Sequence, residues 1–99
     1  MKTMAFIYVY KGCDPKRDTA VIESSLLKTI IVGVDSIDSG CEIAKKVVEE
    51  GCRLIELCGG FGVEGTKKVI DAVQGAVPVG YIVYSPEEKE KVIKIFRNQ

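Results

Sequence analysis

Residues 54–65 constrain the fold of this chain more than any other segment. An apolar run of strand length, residues 54–58, leads directly into a cluster of glycines, and a helical pattern resumes at residue 63. Glycine permits positive φ and close approach of the backbone, and the first amide groups of a helix have no partner within it. The segment therefore predicts a strand-to-helix turn whose amides face a bound anion.

The rest of the chain alternates strand-like and helix-like patterns without a linker. Helices are predicted over residues 39–50, 63–73 and 86–96. Apolar runs predict strands over residues 4–10, 26–34, 54–58 and 77–84, with a further short strand suggested at 20–22. The helical crossovers between the last three predicted strands leave room for parallel pairing only. We therefore predict an α/β protein with one domain, residues 1–99, and a mostly parallel sheet of four to five strands with three helices in the order β-β-α-β-α-β-α.

Capping residues mark where the helices begin and end. Candidate N-caps of the first helix are Asp35, Ser36, Asp38 and Ser39, of which Ser39 and Glu42 have the spacing of a capping box, and Gly51 suits the position just after this helix. Ser85 precedes a proline, which favours a sharp start to the third helix. We expect that helix to bury three apolar side chains, those of Val92, Ile93 and Phe96.

Charge and composition exclude several functional classes. Fourteen basic and fourteen acidic residues give zero net charge, so we expect neither nucleic-acid binding nor a membrane partner. The chain has no histidine, and its four cysteines form no Cys-x-x-Cys pair, so we expect no metal and no cofactor. Because secretory features are lacking, we predict a cytoplasmic protein with four reduced thiols.

The predicted strands are apolar on both faces. Residues 26–34 show little alternation, which is typical of a strand covered on both sides, and we expect this strand to be central. If the strands lay in sequence order, right-handed crossovers would place both connecting helices on one face. The other face would then be an exposed apolar surface, unless the first strand and residues 11–25 wrap beneath it or a second subunit covers it. We therefore predict a homo-oligomer, most simply a homodimer.

Three segments carry a resemblance to a known family. The runs LIELCGGFG at 54–62, VPVGY at 77–81 and VGVD at 32–35 resemble those of a family of roughly hundred-residue bacterial or archaeal proteins, catalogued as a domain of unknown function. The likeness covers nearly the whole chain. It implies no catalytic residue, because no activity is established for that family.

Two residues of the fourth strand are catalytic candidates. Cys58 lies at the carboxyl end of the strand near a helix start, an environment that lowers the pKa of a thiol. Glu56 lies within an apolar run, where a carboxylate needs a partner such as Arg53 or Lys28, and where a raised pKa would suit an acid or base. In the structural alternatives, Cys58 is a buried packing residue and Glu56 is either exposed or ion-paired.

Ligands of open parallel sheets collect beyond the carboxyl ends of the strands. The glycines fit G-x-G-x-x-G, but no ribose-binding acid follows at the next strand end, so a dinucleotide site is not expected. The predicted ligand is therefore a small anionic or polar metabolite. Its predicted binding residues are Asp35, Ser36, Gly59, Gly60, Phe61, Gly62, Tyr84 and Ser85. The alternative is a non-enzymatic oligomeric interaction module in which the glycines form only a tight turn and the polar residues cap helices.

Overall fold

A computed structural model describes residues 1–97 and contains a five-stranded sheet with helices. The sheet has the order β2-β3-β1-β4-β5, in which β2 is antiparallel to β3 and every other pair is parallel. The strands are β1 (Lys2–Val9), β2 (Thr19–Glu23), β3 (Leu27–Val34), β4 (Leu54–Leu57) and β5 (Val79–Tyr81). The predicted α/β class and element order are confirmed, and so is the short strand suggested at residues 20–22.

Three α-helices lie within residues 1–97. They are α1 (Ile37–Glu49), α2 (Gly62–Ala72) and α3 (Pro86–Phe96). A single 3₁₀ turn, Gly59–Phe61, separates β4 from α2. The last strand is shorter than predicted, because residues 82–84 leave the sheet after Ile82 donates one hydrogen bond to the Leu57 carbonyl.

The strands do not follow sequence order across the sheet. β1 lies between β3 and β4, with Ile7 opposite Val32 on one side and Leu57 on the other. The middle strand is therefore β1, and the prediction that residues 26–34 form the central strand is wrong. β3 is second from the edge because β2 folds back on it as a hairpin, which leaves the start of β3 exposed at Leu27.

The core lies between one face of the sheet and two helices. Ala5, Ile7, Ile55 and Leu57 are fully buried there, beneath Ala44 of α1 and Val69 of α2. α1 crosses over β1 to connect β3 with β4, and α2 connects the neighbouring strands β4 and β5. The two helices pack against each other, so both cover the same face, as right-handed crossovers require.

The helices α1 and α3 each differ from the sequence prediction in one respect. α1 is capped by Ser36, one of the four candidates, whose hydroxyl accepts a hydrogen bond from the Ser39 amide at 3.0 Å, so Ser39 lies inside the helix and the predicted capping box is wrong. α3 has no buried residue, which contradicts the expected burial of Val92, Ile93 and Phe96. Gly51 follows the end of α1 with φ of 101°, as predicted from its sequence position.

The second face of the sheet is not covered by α1 or α2. Its residues alternate with the core residues along each strand, and the pairing registers place Ile22, Thr29, Met4 and Leu54 in one row across it. No strand residue of this face belongs to the core. The described chain therefore presents an apolar sheet surface, sparsely interrupted by polar side chains.

Candidate functional site

A cavity of about 1100 Å³ lies at the carboxyl ends of the parallel strands. Four segments meet there: the end of β1, the glycine segment after β4, the chain that leaves β5, and one face of α3. This is the edge at which open parallel sheets hold their ligands. The lining residues are Val9, Tyr10, Lys11, Cys58, Gly59, Gly60, Gly62, Val63, Tyr81, Ile82, Val83, Tyr84, Lys89, Val92, Ile93, Phe96 and Arg97.

The glycine segment is a tight connection between β4 and α2. The Phe61 amide donates to the Cys58 carbonyl at 3.2 Å, and the Gly62 amide donates to the Gly59 carbonyl. Gly62 has φ of 62° and ψ of −172°, a conformation that is essentially restricted to glycine. Because two of its amides bond within the turn, the segment is less open to an anion than its sequence predicts.

Phe61 belongs to the core and not to the cavity. Its side chain is buried, and its ring lies against Gly40 of α1, where an added Cβ would be 2.8 Å from the ring. The 3₁₀ turn is thus anchored from below by Phe61 while Gly59 and Gly60 face the cavity. Tyr84 lies over Gly59, so the chain leaving β5 forms the neighbouring wall.

Cys58 lines the cavity and is half-buried. Its Sγ accepts a hydrogen bond from the Val9 amide at 3.3 Å. This contact joins the end of β1 to the glycine segment, which gives the thiol a structural role independent of any ligand. The described cavity lining holds no carboxylate or histidine that would act as a base for this thiol.

Glu56 lies on the second face of the sheet, outside the cavity lining. It is opposite Phe6 and Gly80 in the neighbouring strands and is exposed. The ion pairs found within residues 1–97 include neither Glu56 nor the partners suggested for it, Arg53 and Lys28. Exposure to solvent satisfies this carboxylate in the single chain.

The remaining predicted binding residues divide into two groups. Gly59, Gly60, Gly62 and Tyr84 line the cavity. Asp35, Ser36 and Ser85 lie at strand ends or helix starts but outside the lining, and Ser36 is engaged as the cap of α1. The polar strand ends therefore do not all converge, because β3 is separated from β4 by β1.

A large part of the remaining lining comes from α3 and the residue that follows it. Lys89, Val92, Ile93, Phe96 and Arg97 have the spacing of one helical face, and this face lines the cavity. The same periodicity is visible in the sequence, but it was interpreted as a core stripe. The basic residues of the lining, Lys11, Lys89 and Arg97, were not predicted as site residues, because isolated cations carry no motif.

The other cysteines lie away from the cavity lining. All four thiols are free, and burial raises the pKa of Cys52 and of Cys41 above that of an ordinary thiol. A raised pKa disfavours the reactive thiolate. Cys52 belongs to the hydrophobic core and Cys41 packs against it, so both serve as packing residues. The reduced state and the cytoplasmic location stay predictions, and titration of four thiols in denatured protein without reductant tests the first of them.

No group of three or more His, Cys, Asp or Glu side chains within residues 1–97 could hold a metal ion. None of the described helices has the length and apolar character needed to cross a membrane.

The fold and cavity define a small α/β protein with a pocket beyond the carboxyl ends of its strands. A model of the Family of unknown function (DUF6506) matches residues 2–97, and the chain belongs to this family. The resemblance drawn from the sequence is thereby confirmed. Comparison with curated proteins and with solved structures finds no match.

Proposed function

We propose that this protein binds a small molecule in the cavity at the carboxyl ends of its strands. The observation that carries the proposal is the cavity itself, about 1100 Å³ and lined by apolar residues with a few polar and basic ones. Small-molecule sites have this composition and about this size. The lining offers apolar surface and positive charge but no acid–base pair among its described residues, so we propose binding and not catalysis.

A thermal-shift screen with carboxylated and phosphorylated metabolites tests this function. Val92→Trp places a large side chain in the cavity, whereas Ile95→Trp changes an exposed residue of the same helix outside the lining. We expect compounds that raise the melting temperature of the natural chain and of Ile95→Trp to have no effect on Val92→Trp. Equal shifts in all three proteins would place the binding site elsewhere.

A second candidate function, assembly into a homodimer, is favoured by the uncovered sheet face. Phe6, Ile31 and Leu54 are only half-buried on this face, and Ile22 is 61% exposed. A continuous apolar surface of this kind is typical of an interface. We propose that two copies pack these faces together, which is the interaction-module alternative raised by the sequence.

Two adjacent residues of β2 give a matched test of the dimer. Ile22 is opposite Thr29 and lies on the uncovered face, whereas Val21 is opposite Ile30 and lies on the helix side. We expect Ile22→Glu to shift the mass measured by light scattering from dimer to monomer, and Val21→Glu to remain dimeric. A monomeric natural chain at micromolar concentration would refute this assembly.

A further inference from the structure

The charge and shape of the cavity indicate which class of ligand it takes. Resting on the proposed function, we propose that the ligand is an organic anion with an apolar body, whose charged head group binds between Lys11 and Arg97. Its body lies along the apolar stripe of α3. Neither cation is part of a sequence motif.

The wall formed by α3 is an apolar stripe with a cation at each end. Val92, Ile93 and Phe96 lie between Lys89 and Arg97 on the face that lines the cavity. The two cations are eight positions apart in the chain, which corresponds to about 12 Å along the helix axis. A ligand held at one end therefore contacts several apolar side chains before it reaches the other.

Lys11 and Arg97 each adjoin a residue of an aromatic pair that lines the cavity. The rings of Tyr10 and Phe96 pack at a centroid distance of 5.7 Å with an interplanar angle of 56°. Lys11 directly follows Tyr10, and Arg97 directly follows Phe96. The contact between the rings holds the end of β1 against the end of α3, and Lys11 and Arg97 both line the cavity, while Lys89 lies in the first turn of α3.

This positive charge is not compensated by the described protein. No aspartate or glutamate of residues 1–97 lines the cavity. The ion pairs described in the structure engage Arg17, Lys45, Lys67 and Lys91, and none of them includes a cation of the cavity. Since the whole chain has zero net charge, the excess is local and attracts an anion to the cavity.

The apolar walls argue against a bare inorganic anion. Val9, Ile82 and the α3 stripe surround much of the space, and a small hydrated ion would leave them in contact with water. The amides of Phe61 and Gly62, which would otherwise cradle such an ion, bond within the turn. A ligand with an apolar body and an anionic head group matches both the apolar walls and the basic residues of the cavity.

Decanoate, decanol and inorganic phosphate separate these contributions. Tyrosine fluorescence reports on binding, because Tyr10, Tyr81 and Tyr84 line the cavity and the chain has no tryptophan. We expect decanoate, below its micellar concentration, to bind at least about fivefold more tightly than decanol, and phosphate not to bind. Lys11→Gln and Arg97→Gln should each remove most of that preference without changing decanol affinity.

Matched variants make each outcome decisive. Lys94→Gln removes a cation of α3 outside the lining and should leave decanoate affinity unchanged, whereas Lys11→Arg, which keeps the charge, should retain more of the preference for decanoate than Lys11→Gln does. Decanol affinity equal to that of decanoate, or a loss of decanoate binding in Lys89→Gln but not in Arg97→Gln, would overturn the assigned head-group site. Binding of phosphate without decanoate would overturn the ligand class alone. If none of the three probes binds and the metabolite screen is also negative, the proposed function fails as well.

Discussion

The helices α1 and α3 have similar apolar stripes but lie in different surroundings. α1 buries Gly40, Ala44 and Val47 against the sheet, whereas α3 buries none of its residues. The apolar side chains of α3 instead line a cavity that α3 shares with the glycine segment and the end of β1. Amphipathic periodicity thus identifies a helix that covers something, but it does not distinguish a packed core from a ligand-sized space.

The difference has an energetic consequence. A buried stripe contributes hydrophobic free energy and close packing, so α1 and α2 stabilise the sheet beneath them. A half-exposed stripe contributes less to folding and retains apolar surface that a ligand would cover. Elements that bind ligands are commonly drawn from the less stable parts of a protein. The half-exposed apolar stripe of α3 makes it an element of this kind, whereas the buried stripe of α1 does not.

The largest expected effect comes from one substitution made in both regions. Ile55 of β4 is fully buried beneath α1 and α2, and Ile93 of α3 is 47% exposed. We expect Ile55→Ala to lower the free energy of unfolding by about 2–5 kcal/mol, because it leaves a cavity in the core. Ile93→Ala should cost about 1 kcal/mol or less.

Urea denaturation of the two variants measures this difference. Each free energy is extrapolated at the same protein concentration, because a dimer would make stability depend on concentration. A loss for Ile93→Ala as large as that for Ile55→Ala would mean that α3 is a core helix in solution. The cavity would then be filled by its own side chains.

An intermediate effect is expected at the turn that joins the two regions. Gly62 lines the cavity and starts α2 with a positive φ of 62°, and its carbonyl accepts a hydrogen bond from the buried Thr66 hydroxyl at 2.6 Å. Gly62→Ala adds a Cβ to a backbone conformation that other residues rarely adopt. We expect a loss of about 1–3 kcal/mol in the free energy of unfolding.

Gly80 is the control for this substitution. It lies in β5 without positive φ, and a Cβ added there would meet no atom within 4 Å. Gly80→Ala should therefore leave the urea midpoint unchanged or raise it slightly. If Gly62→Ala were equally harmless, the backbone of the turn in solution would differ from the one described.

Much of the fold was predictable from local sequence patterns. The strands and helices follow from apolar periodicity and from Gly51, Gly62 and Pro86, which mark the starts or ends of helices. These signals act over only a few residues of the chain. The strand order was not predictable in this way, because pairing of β1 between β3 and β4 depends on contacts between distant segments. That order also separates Asp35 and Ser36 from the cavity, so a prediction based on strand ends alone groups residues that lie apart.

The site was predictable only in part, for a related reason. The glycine segment is continuous in sequence, and the prediction located the edge of the sheet where the cavity lies. The contribution of α3 to the cavity lining depends on the distance between this helix and the sheet. The spacing of apolar residues in the sequence carries no information on that distance. Lys11 and Arg97 adjoin Tyr10 and Phe96, whose rings pack together, and residues so far apart in the chain leave no local signal.

The smallest expected effect compares the serines that precede α1 and α3. The Ser36 hydroxyl accepts a hydrogen bond from the Ser39 amide, whereas the Ser85 side chain makes no capping hydrogen bond. We expect Ser36→Ala to lower the free energy of unfolding by about 1 kcal/mol, and Ser85→Ala to change it by less than about 0.5 kcal/mol. Urea denaturation of both variants measures the difference. If Ser85→Ala were as costly as Ser36→Ala, Ser85 would cap α3 in solution. The N-terminus of α3 would then be stabilised as much as that of α1. The comparison between α1 and α3 would then be limited to packing, because the two helices would no longer differ at their starts.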